Sequence, residues 1–320
     1  MSARSRVLIV RFGALGDVVL TTPLLRALHR THPDLPITFV TKQAYAPLVA
    51  THPAVSKVIT LDPGDGLFAF SRRLSISSRD VVLDLHGSLR SRLVRLLTRG
   101  SWFAYEKDRR NPRRRIGGHT VPPDQPVAER YFTAAGFLRV EPDGAPAELF
   151  TTPEDEREAQ VRTAPGSVVL VPGASRWTKR WPADRWRTLA EDLAGQGWRV
   201  TGLGTAAERP LLEGTPAADA FGLPLRTAVA VCRHASVVVT NDSGLMHVAA
   251  AVKTPVVAVF GPTSAEAGFA PYRARAAIVQ RSLPCRPCSA FGTATCPLGH
   301  HRCMTEIAPA DVLGAIEQAA

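Results

Sequence analysis

A chain of 320 residues is long for one hydrophobic core and suits two domains. With 45% hydrophobic and 21% charged residues, its composition excludes an intrinsically disordered protein. No apolar run reaches the roughly 18–20 residues of a transmembrane helix, and the first run, Val7–Val10, is too short for a signal peptide. We therefore expect a soluble protein that stays in the cytoplasm.

The formal net charge of +11 favours anionic partners, such as nucleic acid, phosphorylated substrates or an acidic membrane surface. It does not choose among them, and free use of arginine by a GC-rich genome would give the same balance. The densest cluster places five arginines within residues 109–115. Such a run is typical of a solvated loop, and equally of a loop over a phosphorylated acceptor.

The first half of the chain alternates short apolar segments with helical ones. A helix is predicted from about Val18 to Thr31, and prolines between residues 33 and 36 end it. Short apolar strands separated by helices indicate a parallel sheet covered on both faces. The predicted strands are Val7–Val10, Ile37–Thr41, Val58–Leu61 and Val81–Leu85.

A change of composition marks the middle of the chain. Residues 141–165 are rich in Pro, Glu, Asp and Thr without strong periodicity, so we place the domain boundary after residue 155. The alternation then resumes, with helices predicted over 182–196, 244–252 and 309–320. The strands of this half are Val168–Val171, Trp198–Leu203, Val237–Thr240 and Val256–Phe260. The predicted fold is α/β, with two doubly wound domains, 1–155 and 156–320, facing each other across a cleft; the final helix can pack back on the first domain.

Two glycines and a carboxylate follow the first strand. Gly13 and Gly16 let the backbone turn tightly and approach a ligand, and Asp17 stands at the start of the next helix. In an open parallel sheet, ligands bind at the carboxyl ends of the strands. Asp17 is therefore interpreted as a helix N-cap, a catalytic carboxylate or both. No Gly-Lys-Ser/Thr follows, which excludes a Walker loop.

In the second half, a basic loop and a helix start suggest an anion site. Residues 172–182 combine a glycine turn, hydroxyls and three basic residues just ahead of a helix, although a solvated loop is the alternative. Further on, Asp242 or Ser243 can cap the helix that starts at Gly244, and its free N–H groups can receive a phosphate. His247 falls one turn into that helix. We therefore predict a phosphate-bearing nucleotide at residues 241–247.

Residues 202–207 fit the dinucleotide pattern G-x-G-x-x-A, but they follow the second strand of their half. No acidic residue closes a strand about 20 residues later. A turn at the sheet edge, with Glu208 facing the cleft, is therefore favoured over a nicotinamide cofactor.

Four of the five cysteines fall in one C-x2-C-x7-C-x6-C segment. A structural zinc, reduced packing cysteines, and disulfide or redox chemistry all remain open. A cytoplasmic setting disfavours disulfides. The four are Cys285, Cys288, Cys296 and Cys303.

Five segments, in this order, resemble glycosyltransferase family 9, the ADP-heptose:lipopolysaccharide heptosyltransferases, and the resemblance runs nearly end to end. It implies a GT-B fold, with the acceptor on the N-terminal domain and the sugar nucleotide on the C-terminal one. It also implies an inverting transfer that uses no metal and no cofactor. The matching segments are Arg11–Val18 with Thr22 and Pro23, Asp84–Gly87 with Arg90, Lys179–Pro182 with Trp186, Asn241–Gly244 with His247, and Phe260–Thr263.

The resemblance also assigns roles to residues. Asp17 matches the general base that takes a proton from the acceptor hydroxyl, and Lys179 matches the lysine on the donor phosphates. The implied donor-binding residues are Ser175, Lys179, Glu208, Asp242, Ser243, Gly244 and His247. The implied acceptor-binding residues are Gly13, Gly16, His86, Arg90, Arg113 and Arg114.

Together these features predict transfer of heptose from ADP-heptose to the lipopolysaccharide inner core. The acceptor would be Kdo-lipid A or its heptosylated form, met at the inner face of the inner membrane by peripheral contact. A family 9 transferase with another nucleotide sugar and an NAD-dependent oxidoreductase remain as alternatives. Nucleic-acid binding is disfavoured, because no aromatic stacking residues accompany the arginine run.

Overall fold

The computed structural model describes residues 6–62, 64–107, 116 and 123–319. Arg113, Arg114 and the rest of the arginine run therefore lie outside the described residues. The described chain divides into two compact units. The first contains the residues up to Lys107 together with Val127–Phe150, and the second includes everything from Thr151 onward.

The first unit is built on a parallel sheet of five strands in the order β3-β2-β1-β4-β5. All four residues of the central strand β1 are buried, as expected for an apolar strand covered on both faces. The strands are β1 Val7–Val10, β2 Ile37–Lys42, β3 Lys57–Leu61, β4 Val81–Asp84 and β5 Ser101–Ala104. The α-helices are Leu15–Val19, Thr22–Thr31, Pro47–Ala50, Leu67–Leu74, Leu89–Leu96 and Val127–Arg130.

The second unit repeats this plan with six parallel strands in the order β11-β10-β9-β6-β7-β8. The strands are β6 Val168–Val171, β7 Val200–Gly204, β8 Ala218–Phe221, β9 Val237–Asn241, β10 Val256–Phe260 and β11 Ala276–Gln280. The α-helices are Pro153–Arg162, Ala183–Gly195, Leu225–His234, Gly244–Ala251, Arg302–Thr305 and Pro309–Ala319.

Each sheet reverses its strand order once, between β1 and β4 in the first unit and between β6 and β9 in the second. Connections leave neighbouring strands in opposite directions at such a switch point, which opens a crevice at the carboxyl ends of the strands. The predicted motifs at Arg11–Asp17 and Asp84–Arg90 follow β1 and β4. Those at 172–182 and 241–247 follow β6 and β9, so both sets lie where each sheet can receive a ligand.

Two sequence expectations need correction. The helix predicted from Val18 to Thr31 is two helices, because Pro23 lies in the first turn of the second and fits a helix start. The segment at 141–165 contains a helix, Pro153–Arg162, whose first turn is capped by Thr152. Within the second unit, the final helix packs into the hydrophobic core through Val312 and Ile316.

Across residues 6–62, 64–107 and 123–319, no helix is both long and apolar enough to cross a bilayer.

A charged network fastens the last segment of the first unit. Arg26 donates two hydrogen bonds to Asp143, at 2.8 and 2.9 Å, and lies 3.0 Å from Glu148. Glu148 in turn lies 3.2 Å from the buried His52. The hydrogen bonds from Arg26 lower the pKa of Asp143 to about 2, from an ordinary value of 3.8.

We expect Asp143→Asn to lower the free energy of unfolding by about 1 kcal/mol near neutral pH, because it removes a bidentate pair with Arg26. The pKa of Asp143 is lower folded than unfolded, so its stabilisation is present above about pH 4 and is lost as the pH falls toward 2. Chemical unfolding at a series of pH values measures both effects. Asp34→Asn, at an exposed carboxylate, is the control; equal losses in the two variants would contradict this role.

Candidate active site

The side-chain amide of Asn241, at the end of β9, ties together the loops of the second unit. It is fully buried, and its Oδ1 accepts a hydrogen bond from the Trp181 N–H at 3.1 Å. Its Nδ2 donates to the carbonyl oxygens of Pro172 at 2.8 Å and Gly173 at 3.3 Å. The loop after β6 is thereby held against the end of β9. Sequence reasoning placed Asn241 in a motif but gave it no role.

Lys179 and Asp242 form an ion pair at this junction. Lys179 Nζ lies 2.6 Å from Asp242 Oδ2, and the two side chains are only 14% and 9% exposed. The hydroxyl of Thr263, itself buried, donates to the same oxygen at 2.7 Å. The ammonium group is therefore held by Asp242, the residue just before the N-cap of helix Gly244–Ala251. Thr263 stands in one of the quoted motifs, but no local signal revealed this contact.

The start of helix Gly244–Ala251 differs from the capped start that the sequence suggested. Ser243 occupies the N-cap position, but its hydroxyl lies 3.0 Å from Thr240 Oγ1 instead of bonding the helix N–H groups. The carboxylate of Asp242 is engaged by Lys179 and Thr263. Uncapped N–H groups and the positive end of the helix dipole favour an anion at this point. His247 lies in the same first turn and is 5% exposed.

Glu208 lies over the glycines at the ends of β6 and β7. A Cβ atom on Gly173 would stand 1.9 Å from Glu208 Oε1, and one on Gly204 would stand 2.7 Å from Oε2. Glu208 also accepts a hydrogen bond from the Thr205 N–H at 2.8 Å. These glycines thus make room for a carboxylate. Gly202 likewise makes room for the Phe221 ring, 2.5 Å from its added Cβ, so packing accounts for the G-x-G pattern. Ser175, in the loop after β6, is exposed.

In the first unit, the Asp17 carboxylate is held by three donors. It forms an ion pair with Arg11, accepts the Ala14 N–H at 3.2 Å and lies 3.4 Å from the Tyr131 hydroxyl. Asp17 is the third residue of helix Leu15–Val19, and Ala14, not Asp17, is the N-cap. Its side chain stays 21% exposed, so the carboxylate is oriented yet reachable.

Tyr131 is the main residue that sequence reasoning missed here. It is fully buried, and burial, followed by the neighbouring charge of Asp17, raises its pKa well above 10. The hydroxyl therefore stays protonated and donates to Asp17. Arg11 is also buried and donates to the Leu85 carbonyl oxygen, which fixes its guanidinium between the ends of β1 and β4. Since Tyr131 lies 114 residues from Asp17, no local pattern links the two.

The predicted acceptor residues that the structure describes lie in the first unit, in differing environments. Gly13 and Gly16 are buried, and a Cβ atom on Gly13 would lie 2.8 Å from the Tyr45 ring. His86 packs edge-on against Phe12, with ring centroids 5.2 Å apart. Arg90 is exposed in helix Leu89–Leu96.

His86 is neutral at physiological pH. Burial, and then the positive charges of Arg11 and Lys107, lower its pKa from 6.5 to about 4. Asp17 acts on the same imidazole in the opposite direction, so the two predicted site residues are within electrostatic range. A neutral imidazole can donate one hydrogen bond and accept another, but it has no positive charge with which to attract an anionic ligand.

The cysteine segment packs over the end of β10. Arg286 donates to the carbonyl oxygens of Gly261 and Thr263. The segment is thereby anchored beside Thr263, whose hydroxyl donates to Asp242. All four of its cysteines are unpaired, and among the described residues no cluster of three or more His, Cys, Asp or Glu side chains could hold a metal ion. Cys303 lies in the hydrophobic core, where burial raises its pKa to about 11. Cys303 is therefore a packing residue, whereas Cys285, Cys288 and Cys296 are only half-buried.

Comparison with known proteins identifies the family and the fold of this chain. Residues 67–298 match the sequence profile of glycosyltransferase family 9 (heptosyltransferase). The chain is 32% identical to lipopolysaccharide heptosyltransferase 1 of Pseudomonas aeruginosa, covering 88% of this chain and 86% of the relative.

Two solved structures share the fold. The family 9 glycosyl transferase of Veillonella parvula aligns with a TM-score of 0.80 at 22% identity, over 100% of this chain and 98% of that one. The Escherichia coli ADP-heptose lps heptosyltransferase II aligns with a TM-score of 0.76 at 23% identity, over 98% of both chains. The predicted GT-B fold of two Rossmann-like domains is thereby confirmed.

We expect Gly173→Ala to weaken ADP binding roughly tenfold, because its methyl group would displace the Glu208 carboxylate, which we expect to contact the nucleotide at the end of β6. Isothermal titration calorimetry measures the change. Gly195→Ala is the matched control, since an added Cβ there meets nothing within 4 Å. Equal ADP affinity in the two variants would contradict a role for Glu208 in holding the nucleotide.

Proposed function

The chain belongs to glycosyltransferase family 9, the heptosyltransferases, and on this premise we propose that it moves heptose from ADP-heptose to the lipopolysaccharide inner core. The name of the Pseudomonas aeruginosa relative gives lipopolysaccharide as what it acts on, and the name of the Escherichia coli structure includes ADP-heptose. The observation that carries the proposal is the Lys179–Asp242 pair beside an uncapped helix start.

On the donor side, we assign the diphosphate of ADP-heptose to the first turn of helix Gly244–Ala251. Backbone N–H groups there can donate to phosphate oxygens, and Lys179 Nζ can turn from Asp242 to the same group. As the bond between the anomeric carbon and the phosphate oxygen breaks, negative charge grows on ADP. A lysine and a helix dipole already aimed at that charge stabilise the transition state more than the ground state.

Once Lys179 turns to the phosphate, Asp242 is free to accept a hydrogen bond from a sugar hydroxyl. Thr263 keeps the carboxylate in place during this exchange, since its hydrogen bond to Oδ2 does not depend on Lys179. Glu208, over the ends of β6 and β7, is assigned to the ribose. Ser175, Ser243 and His247 complete the proposed donor site.

On the acceptor side, we assign Asp17 as the general base. The acceptor hydroxyl attacks the anomeric carbon from the face opposite the departing ADP, and its proton passes to Asp17. The new glycosidic bond therefore has inverted configuration. Because Arg11, Ala14 and Tyr131 all donate to it, the carboxylate presents fixed acceptor oxygens.

The acceptor itself is proposed to be Kdo-lipid A or its heptosylated form, whose carboxylates and phosphates suit a basic protein. We assign Arg90, together with Arg113 and Arg114, to these anionic groups, and the neutral His86 to a hydrogen bond with the sugar. Such an acceptor is anchored in lipid, so the proposal places the enzyme in the cytoplasm, in peripheral contact with the inner membrane.

The proposal is tested by incubating the purified protein with ADP-heptose and either Kdo-lipid A or heptosyl-Kdo-lipid A. We expect release of ADP and a heptose-sized mass increase of the lipid by mass spectrometry, and no transfer from ADP-glucose. Turnover with another nucleotide sugar in place of ADP-heptose would assign the chain a different donor. Reduction of NAD without sugar transfer would overturn the assignment as a transferase.

Replacing the proposed base tests its role separately. We expect Asp17→Asn to lower kcat by roughly 10²–10⁴-fold, because the amide cannot take up the hydroxyl proton. The Kd for ADP should stay within about twofold of wild type, since the donor residues lie in the other unit. A variant that retains wild-type turnover would remove Asp17 as the base.

A further inference from the structure

Helix Leu89–Leu96 of the first unit exposes apolar side chains on the face turned away from its core. Ser91 and Val94 are its buried residues. Leu89 and Leu96 are 73% and 79% exposed, and Leu97, just after the helix, is 49% exposed. At about 100° per residue, the exposed leucines lie roughly opposite the buried face. Packing within the first unit therefore does not account for them.

Arginines flank these leucines. Residues 86–99 contain four arginines and no aspartate or glutamate. Arg92, Arg95 and Arg99 are exposed and spaced so that they follow one side of the leucine stripe. Arg90, on the other side, lies within electrostatic range of the Asp65 carboxylate. The stripe thus has one flank of three positive charges.

The neighbouring helix adds another exposed apolar side chain beside an arginine. Helices Leu67–Leu74 and Leu89–Leu96 pack against each other. Phe68, on the first of them, is 66% exposed, and the guanidinium of Arg72 lies 6.0 Å from the centre of its ring. We call the combined surface the leucine–arginine face; it consists of Phe68, Arg72, Leu89, Arg92, Arg95, Leu96, Leu97 and Arg99.

We propose that the leucine–arginine face docks on the surface of an anionic phospholipid bilayer. Apolar side chains flanked by arginines match the interfacial region of a bilayer, where the leucines and Phe68 enter the acyl boundary and the guanidinium groups meet lipid phosphates. The inference rests on the proposed function, because a lipid-anchored acceptor requires the enzyme to meet a membrane. It names the surface by which it does so.

Charge decides between a bilayer and a second copy of this chain. In a symmetric dimer through this face, the same patch would meet itself, and the arginine flanks would be brought close together. Like charges in an apolar interface are unfavourable, and the 86–99 segment offers no carboxylate to offset them. An anionic lipid surface supplies the compensating charge directly.

Vesicle flotation of the full chain tests the proposal without requiring turnover. We expect binding to vesicles of phosphatidylethanolamine and phosphatidylglycerol, weakening with added salt, and little binding to phosphatidylcholine alone. Leu89→Ser with Leu96→Ser, and separately Arg92→Gln with Arg95→Gln, should each lower binding by roughly tenfold or more. Val161→Ser, at an 83% exposed residue of helix Pro153–Arg162, is the matched control and should bind as wild type does.

Three results would overturn the proposal. The first is that wild-type protein does not bind anionic vesicles. The second is that the variants bind as tightly as wild type. The third is that the protein self-associates in sedimentation and that the leucine variant abolishes this self-association. All replaced side chains are exposed, and circular dichroism checks that the variants are folded. Vesicle binding that depends on this face, in a protein that transfers no heptose, would refute the proposed function alone. Heptose transfer to a deacylated, water-soluble acceptor by a protein that ignores vesicles would refute only the docking.

Discussion

The ion pair between Lys179 and Asp242 is the interaction on which the proposed donor site depends. Removing two charges from water costs about as much as their attraction returns, so a pair this buried contributes little to stability. Its value lies in position. Thr263 holds one end of the pair, and Asn241 holds the loop that carries the other. The cation is thereby held beside a helix N-terminus, where we propose that an anion replaces its carboxylate partner.

The first unit uses the same arrangement with the charges reversed. There the proposed reactive group is the carboxylate of Asp17, and its partner is the buried guanidinium of Arg11. Tyr131 adds a hydrogen-bond donor. Its hydroxyl stays protonated, because burial and the neighbouring charge of Asp17 make a phenolate costly. Both pairs lie at the point where a parallel sheet reverses its strand order. Our proposed function assigns the acceptor to the first of these pairs and the donor to the second.

The sequence predicted the central strands well, because a strand buried on both faces is a continuous apolar run. It missed β5, β8 and β11, which are edge strands with exposed residues and no such run. The motifs at Asp17, Lys179 and Asp242 were found because glycines, charges and helix starts are local signals. Tyr131 and Thr263 were not assigned roles, since their contacts join residues that only the folded chain brings together.

A crystal structure of the protein with ADP tests the central claim most directly. The account predicts that the diphosphate lies on the N–H groups at the start of helix Gly244–Ala251. It also predicts that Lys179 Nζ has moved from Asp242 to a phosphate oxygen, while Thr263 still donates to Asp242. A diphosphate bound elsewhere, with the Lys179–Asp242 pair intact at its present 2.6 Å, would contradict it.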